Sequence, residues 1–526
     1  MLTRLLDTVT AFRQQHLAAF HLFTAAVVCA SVAWAVLEFF KPIGKRRAKN
    51  GTKPRLPPGP PGAPLFGYLL DLKKADGPSL RSKLRNLAAY GEMTTLHLGS
   101  KTWVLLNSHR VTEELIAKRG SQTNTRSPMP VSSGLVSRDR RSLLLPADEW
   151  AERRRVMHGL LNGTALRQYG AWQEQESAQM MAEYVLRPDR WYKHHYRYAN
   201  SVVVRIALGE RPHKSTRELE EMQNAVTFFV GSIGRSIVDW FPDLARLPRR
   251  LQVWRPYWAA LGRWNHDLYS KWYHPVRDRV RDGTAPPSFV RDHLMHPDTR
   301  FRGDDDDLMY VAMQLIEAGS DTTREALNIM AMAALERPEA FAAARAEVDR
   351  LCGAGRDARL PVLADMASLP YVCAMAKEIL RWHPIFLLTP DHVASQDIEF
   401  EGYYFPAGTG FTINGVAVCD ECDDPRVFRP ERWLDGHETD IAHGLWQFGG
   451  GRRICVGYRL AQRSLFINIA RLAQPNGPYN PEYLNLEALD EPFPVKATIR
   501  GEEYKALILK EAEAAGVLEE AGSASE

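Results

Sequence analysis

Residues 448–457 read Phe448-Gly449-Gly450-Gly451-Arg452-Arg453-Ile454-Cys455-Val456-Gly457. A lone cysteine is ordinarily an inert buried thiol. Here three consecutive glycines stand before it and one follows two places later. Glycine lets the backbone lie close to a flat partner and take positive φ. Backbone N–H groups around a sulfur can tune its electron donation, and Arg453 is a cation suited to a carboxylate. A thiolate bound axially to iron pushes electron density onto the metal and favours O–O cleavage. The pattern points to a Cys455 thiolate ligating iron in a flat macrocycle.

Working outward, Leu308, Val311, Ala312, Leu315, Ala318, Gly319, Thr322 and Ala326 recur at helical spacing, past Ile329. Asp304 to Asp307 open this helix with four carboxylates, where an N-terminus favours negative charge. Within it lies Ala318-Gly319-Ser320-Asp321-Thr322. Gly319 leaves room for a diatomic molecule against the backbone, and Thr322 can bond back to a carbonyl one turn earlier. Upstream of the cysteine stand Glu378-Ile379-Leu380-Arg381 and Phe428-Arg429-Pro430-Glu431-Arg432-Trp433. In the former, i, i+3 spacing puts both charges on one helical face.

Together these motifs, in this order, resemble the cytochrome P450 family, specifically the membrane-bound enzymes of filamentous fungi that tailor secondary metabolites. Phe448, Gly451, Arg453, Cys455 and Gly457 match the fixed places of its haem signature, which Leu460 and Ala461 continue. The resemblance covers residues 57 to 470 and implies haem b held by Cys455, with Phe448 and Gly449 alongside. It implies that Arg453, His392 and the pair Trp150 and Arg154 meet haem propionates. Glu378, Arg381 and Arg432 correspond to the family's structural Glu-Arg-Arg triad, and Asp321 and Thr322 to the acid and hydroxyl of its proton relay. The expected fold is mainly α with a small β portion, preceded by a single N-terminal transmembrane helix.

Strand-like runs at Met93–Leu98 and Thr102–Leu106 flank Gly99-Ser100 as a hairpin, and strand patterns return at Ile398–Phe405 and Phe411–Val418. The pattern departs from the family at Asp391, where Pro is usual, at Ala407, where Lys is usual, and most after Ile467. There an expected apolar turn and loop are missing, which puts the last substrate-contacting loop and the final hairpin in question.

The 526 residues contain no linker or repeat that marks a junction, so one large domain is expected over 63–526. Of the net charge of +4, seven cations between 41 and 55 account for more than the whole, leaving −3 for the rest. Nucleic-acid binding is thereby excluded as an expectation. Six scattered cysteines suit a reducing compartment, and Cys419-Asp-Glu-Cys422 reads as a surface loop.

Leu17 to Leu37 is almost wholly apolar, with His21 its strongest break, long enough to span hydrocarbon, and the following cations hold the C-terminal side in the cytosol. Residues 1–40 are therefore expected to be a membrane anchor in contact with lipid. The proline-rich run Pro57–Gly62 is expected to end a stiff stalk over 41–62. Resemblance implies the endoplasmic reticulum membrane, with the catalytic domain cytosolic. Only 71 residues follow Cys455, too few for a flavin domain. Electrons are expected from a separate NADPH-cytochrome P450 reductase, with Arg452, Arg459 and Arg463 facing an acidic partner surface. Val131–Val136, Phe228, Phe229 and Ile385–Leu387 favour a hydrophobic small-molecule substrate. Competing readings are a catabolic hydroxylase of a small aromatic acid, a haem-thiolate isomerase or dehydratase, and a haem-binding protein without catalysis.

Overall fold

The computed structural model describes Ser31 and residues 53–74, 77–161, 163–212, 217–296, 301–472, 475–476 and 493–522. Strands β1 (Met93–Leu98) and β2 (Lys101–Leu106) form the expected hairpin, turning at Gly99 with φ +63°. Late in the chain come β3 (His392–Val393), β4 (Ile398–Phe400), β5 (Tyr403–Phe405) and β6 (Gly410–Ile413). The main sheet has the order β1-β2-β6-β3, with β2 and β6 parallel, while β4 and β5 pair separately.

Helices make up the rest. The longer ones are α1 (Gly77–Ala88), α2 (Ala147–Leu160), α3 (Gly163–Leu186), α4 (Trp191–Leu208), α5 (Arg217–Ser232), α6 (Arg255–Arg281) and α7 (Phe289–Met295). After them come α8 (Asp305–Glu336), α9 (Pro338–Cys352), α10 (Pro370–Trp382), α11 (Gly415–Cys419), α12 (Tyr458–Arg471), α13 (Glu502–Ala514) and α14 (Leu518–Gly522).

The centre of the molecule is α8. Its acidic start forms a capping box, in which the Asp304 carboxylate accepts from the Asp307 N–H at 2.8 Å and Asp307 accepts from the Asp304 N–H at 3.1 Å. The same carboxylates tether neighbours, since Arg153 pairs with Asp307 at 2.6 Å and Arg277 with Asp305 at 2.9 Å. Beyond this polar start most of the helix is buried, and it packs chiefly against α4, inside the largest core cluster.

Several expectations change here. The run Phe411–Val418 is strand only to Ile413, because the Asn414 side chain accepts from the Ala417 N–H at 3.2 Å and starts α11. Cys419 then ends that helix buried, with Gln447 donating to its sulfur, so it does not lie on a surface loop; Cys422 is half-buried. Pro57–Gly62 lies on the body rather than standing off as a spacer. Proline lacks an N–H but keeps its carbonyl, and Pro58 accepts from the Thr95 N–H at 3.0 Å, while Arg55 pairs with Tyr404 just before. The departure at Asp391 has its own partners, for the carboxylate accepts from the Ser127 hydroxyl beside buried Lys101.

Among the described residues no helix is long and apolar enough to cross a membrane. The anchor expected over 1–40 lies outside the described residues apart from Ser31. Most of the atypical stretch after Leu472 lies outside them too. Pro475–Asn476 pairs with Lys496–Ala497, and α13 and α14 then pack against α3, with Gln175 donating to the Ala515 carbonyl at 2.8 Å.

Candidate active site

Cys455 stands just before α12, and its N–H donates to the Phe448 carbonyl at 2.8 Å, closing the glycine-rich segment into a loop. Its side chain has exposed surface, yet it sits so deep that burial pushes the thiol pKa up. The Gly457 and Tyr458 N–H groups and the Arg154 cation pull it the other way. These donors favour the thiolate. The sulfur therefore lies at the foot of a recess.

The glycines divide by role. A Cβ on Gly450 or Gly451 would strike Trp446 at 2.5 Å or the Ile116 carbonyl oxygen at 2.2 Å, so these two are required by packing. Gly449, at φ +68°, would meet nothing within 4 Å, so only its backbone geometry calls for glycine and the space beside it is open.

Around the loop the structure gathers Trp150 and Arg154 of α2, Arg453, His392 of β3, and Arg126, which sequence reasoning did not single out. Trp150 lies between two cations, its ring centroid 4.1 Å from the Arg453 guanidinium and 5.7 Å from that of Arg154. Arg453 donates to three backbone carbonyls, Asn124 at 2.7 Å, Leu145 at 2.8 Å and Ser142 at 3.3 Å. Arg126 donates to the carbonyls of Leu143 at 3.0 Å and Asp391 at 2.8 Å. Arg154 donates to His158 at 3.0 Å.

None of these three guanidiniums forms an ion pair with a carboxylate of the described residues. Burial and the neighbouring arginines drive the Arg453 pKa down to about 8, and burial alone drives Arg126 to about 10. Buried cations without a counter-charge are costly, so the cluster is built for an anion brought from outside. His392 is buried, and burial together with Arg126 and Arg453 holds its pKa well below the usual value. Its Nδ1–H donates to the Thr123 carbonyl at 3.1 Å. The neutral ring thus has no second N–H to offer a carboxylate, and His392 can hold one only in its doubly protonated form.

The opposite wall is α8. Its residues are buried at 307–313 and again at 324–334, but between them Ala318 is exposed and Leu315, Gly319, Asp321, Thr322 and Thr323 are half-buried. The two walls meet at Ser142, whose carbonyl accepts from Arg453 and whose hydroxyl donates to Gln314 of α8 at 2.9 Å. Thr322 Oγ1 donates to the Ala318 carbonyl at 2.6 Å, the back-bond expected of it. Asp321 pairs with Arg324 at 3.2 Å and accepts from Gln223 of α5. Gly319 also has a packing role that the sequence did not show. A Cβ there would lie 2.5 Å from Cγ1 of Val203, so the glycine lets α8 approach α4.

Just before this opening, Glu317 is buried in a bidentate pair with Arg141 and also accepts from Tyr269, while the Arg141 guanidinium lies 3.6 Å from the Phe229 ring centroid. Of the apolar residues expected to line a pocket, Val131, Val136 and Phe229 share one buried cluster, whereas Phe228 and Phe386 are exposed.

Behind the loop, Glu378 is fully buried and accepts from Arg381 twice at 2.8 Å, Arg432 at 3.1 Å, the Arg429 N–H at 2.8 Å and Trp433 at 2.9 Å. The structure thus brings all three residues of the expected triad together. Of the cations expected to face a partner, Arg452 and Arg459 are exposed, while Arg463 is half-buried and donates to the Leu166 carbonyl.

The family model described as cytochrome P450 matches residues 57–474. Cytochrome P450 monooxygenase verL of Clonostachys rogersoniana is 32% identical over 438 residues, 79% of each chain. Cytochrome P450 monooxygenase fogE of Aspergillus ruber is 31% identical over 439 residues, 80% of each chain. A zebrafish cytochrome P450 structure with abiraterone superposes with a TM-score of 0.59 at 20% identity, covering 76% of this chain and 93% of that one. This last likeness concerns the fold alone.

Proposed function

This chain belongs to the cytochrome P450 family, and from that premise we propose that it oxidises a hydrophobic small molecule in fungal secondary metabolism. It is a haem-dependent monooxygenase, an oxidoreductase that uses dioxygen. The residues present fit the prosthetic group. Cys455 offers a thiol at the foot of a recess, Gly449 leaves the space beside it open, and Arg126, Arg154 and Arg453 present buried positive charge without a carboxylate of their own. When bound, haem supplies redox-active iron for dioxygen reduction and oxygen transfer.

The remaining chemistry falls to the chain. Cys455 would hold the iron through its thiolate, with the Gly457 and Tyr458 N–H groups tempering its charge. Arg453, Arg126 and Arg154 would hold the carboxylates of the macrocycle, Trp150 supports two of those cations, and Phe448 and Gly449 would lie alongside the group. His392 adds to that charge when protonated. Glu378, Arg381 and Arg432 fix the segment leading to the thiolate loop. The Thr322 hydroxyl, already turned onto the Ala318 carbonyl, passes protons toward the recess, and Asp321 beside it exchanges them. Haem b is the form we assign.

NADPH-cytochrome P450 reductase is the electron donor in this reading, docking on the face that bears exposed Arg452 and Arg459. Residues 1–40 are the membrane anchor, with the catalytic domain in the cytosol at the endoplasmic reticulum. Exposed Leu251, Val253 and Tyr257 before and within α6 support a second, peripheral contact with lipid.

The anion-seeking cluster beside Cys455 is the observation that carries the haem-thiolate reading. Its test is the carbon monoxide complex of the reduced protein, which should show the red-shifted Soret band of thiolate ligation. Cys455→Ala should lose that band, and a retained band would remove Cys455 from the iron.

A further inference from the structure

One carboxyl near the relay has no place in the mechanism above. Glu325 lies on α8 four residues after Asp321 and three after Thr322, so all three share one helical face. Side chains on a helix lean toward its N-terminus, which carries the Glu325 carboxyl back over the turn formed by those two residues. It is 6% exposed and makes neither a hydrogen bond nor an ion pair with the described residues.

The charged groups that face it are Arg324 and Asp321 of its own helix and Arg81 of α1. Arg81 is only partly buried, donates to the Pro384 carbonyl at 3.2 Å, and leads from this interior spot to the surface of α1. His383 beside Arg81 is pushed down to about 3 by burial, and Tyr196 beside Asp321 and Arg324 is pushed up by burial, so neither titrates between pH 5 and 9.

An ionised carboxylate buried without a hydrogen bond is costly, whereas the neutral acid is tolerated. Burial accordingly outweighs the two arginines and raises the Glu325 pKa to about 8. At neutral pH this site holds a proton one helical turn from Thr322. Asp321 is engaged by Arg324 and Gln223, so once it has given up a proton it needs a nearby donor to be recharged.

We propose that Glu325 stores the proton that recharges Asp321, with Arg81 marking the route by which Glu325 is refilled from solvent. The Glu325 O–H bond breaks, its proton passes to an Asp321 carboxylate oxygen, and a solvent proton then restores Glu325. No electron moves in this step; the electrons that reduce dioxygen, two for peroxide and four for water, come from the reductase. Glu325 acts through Asp321 and is a positioning residue, and the proposal rests on reading Asp321 and Thr322 as the relay.

The test uses the haem-loaded full chain with purified reductase, NADPH and dioxygen, without added organic substrate. It compares wild type with Glu325→Gln, Glu325→Asp and Thr322→Ala. The readout is the fraction of consumed dioxygen released as hydrogen peroxide rather than water, from pH 6 to 9. Wild type should release more peroxide as pH rises through about 8, where the stored proton is lost. Glu325→Gln should release several-fold more than wild type at pH 6.5 with a flat profile, and Glu325→Asp should restore a pH-dependent one.

A second readout needs no turnover. Glu325 is raised in the folded state above its unfolded value, so the wild type loses stability as pH rises from about 4.5 to about 8. The urea midpoint of Glu325→Gln should therefore gain on that of wild type across this window and stay level above it. If Thr322→Ala leaves peroxide release unchanged, the relay reading itself fails. If Thr322→Ala raises it while Glu325→Gln follows the wild-type profile, the Glu325 proposal alone is overturned. Should Glu325→Gln not fold, a wild-type profile without a step near pH 8 overturns it equally.

Discussion

Replacing Glu378 by Gln should destabilise the protein more than any other single change in the triad. The amide keeps the shape of the side chain but removes its charge and replaces one acceptor oxygen by an N–H₂ group. Oε1 accepts three N–H groups, from Arg381, Arg429 and Arg432, and Oε2 accepts two, from Arg381 and Trp433. Whichever oxygen becomes nitrogen, at least two donors lose their acceptor. The side chains of Arg381 and Arg432 are 4% and 10% exposed, so both cations stay buried without an anion. Breaking a buried pair by removing one partner costs about 3–5 kcal/mol, against a total stability of about 5–15 kcal/mol. Their carbonyl partners, Cys419, Pro425 and Val427 for Arg381 and Asp423 and Val427 for Arg432, do not neutralise them. Arg381→Gln should cost less than Glu378→Gln, because one cation keeps the carboxylate. Arg432→Gln should cost least, since Arg432 gives Glu378 a single hydrogen bond and is the most exposed of the three. Urea unfolding of the three variants, each followed by the Soret band and by far-ultraviolet dichroism, measures this order. A Glu378→Gln midpoint equal to wild type, or an Arg432→Gln midpoint below that of Glu378→Gln, would refute the reasoning.

Gly319→Ala should cost about 1–3 kcal/mol by overpacking, because its Cβ meets the stiff, buried Val203 at 2.5 Å. Val203→Ala in the same chain should recover most of that loss in a thermal melt, and failure to do so would return Gly319 to a role in the recess. Deleting residues 1–40 should move much of the protein from the membrane pellet to the soluble fraction with haem uptake intact. What remains bound through Lys45, Arg46 and Arg47 should come off at high salt. Retention through the wash would locate a second contact, with Leu251, Val253 and Tyr257 the residues to substitute next.

What the sequence makes legible depends on how local the cause is. The α8 start could be read because a capping box needs only Asp304 and Asp307, and the β1–β2 hairpin because Gly99 and its flanking runs suffice. The stretch after Ile413 misled because Val416 and Val418 alternate like a strand, while the choice of helix is made by one Asn414 side chain. Motifs named Cys455, Glu378 and Arg381, but the reason a given glycine is a glycine lies elsewhere in the chain. Gly319 answers to Val203 and Gly451 to Ile116, and no spacing rule reaches either. Arg126 was invisible for the same reason, since its partners are backbone carbonyls at Leu143 and Asp391, the latter 265 residues away. It is one arginine among many until the fold removes it from water and gives it no carboxylate. Glu325 carries this furthest. Its position beside Asp321 was present in the sequence, where an i, i+4 acid reads as a solvated helix face. Only the burial of α8 against α4 and α5, with Arg81 of α1 close enough to act on the carboxyl, turns that acid into a group that can hold a proton at neutral pH.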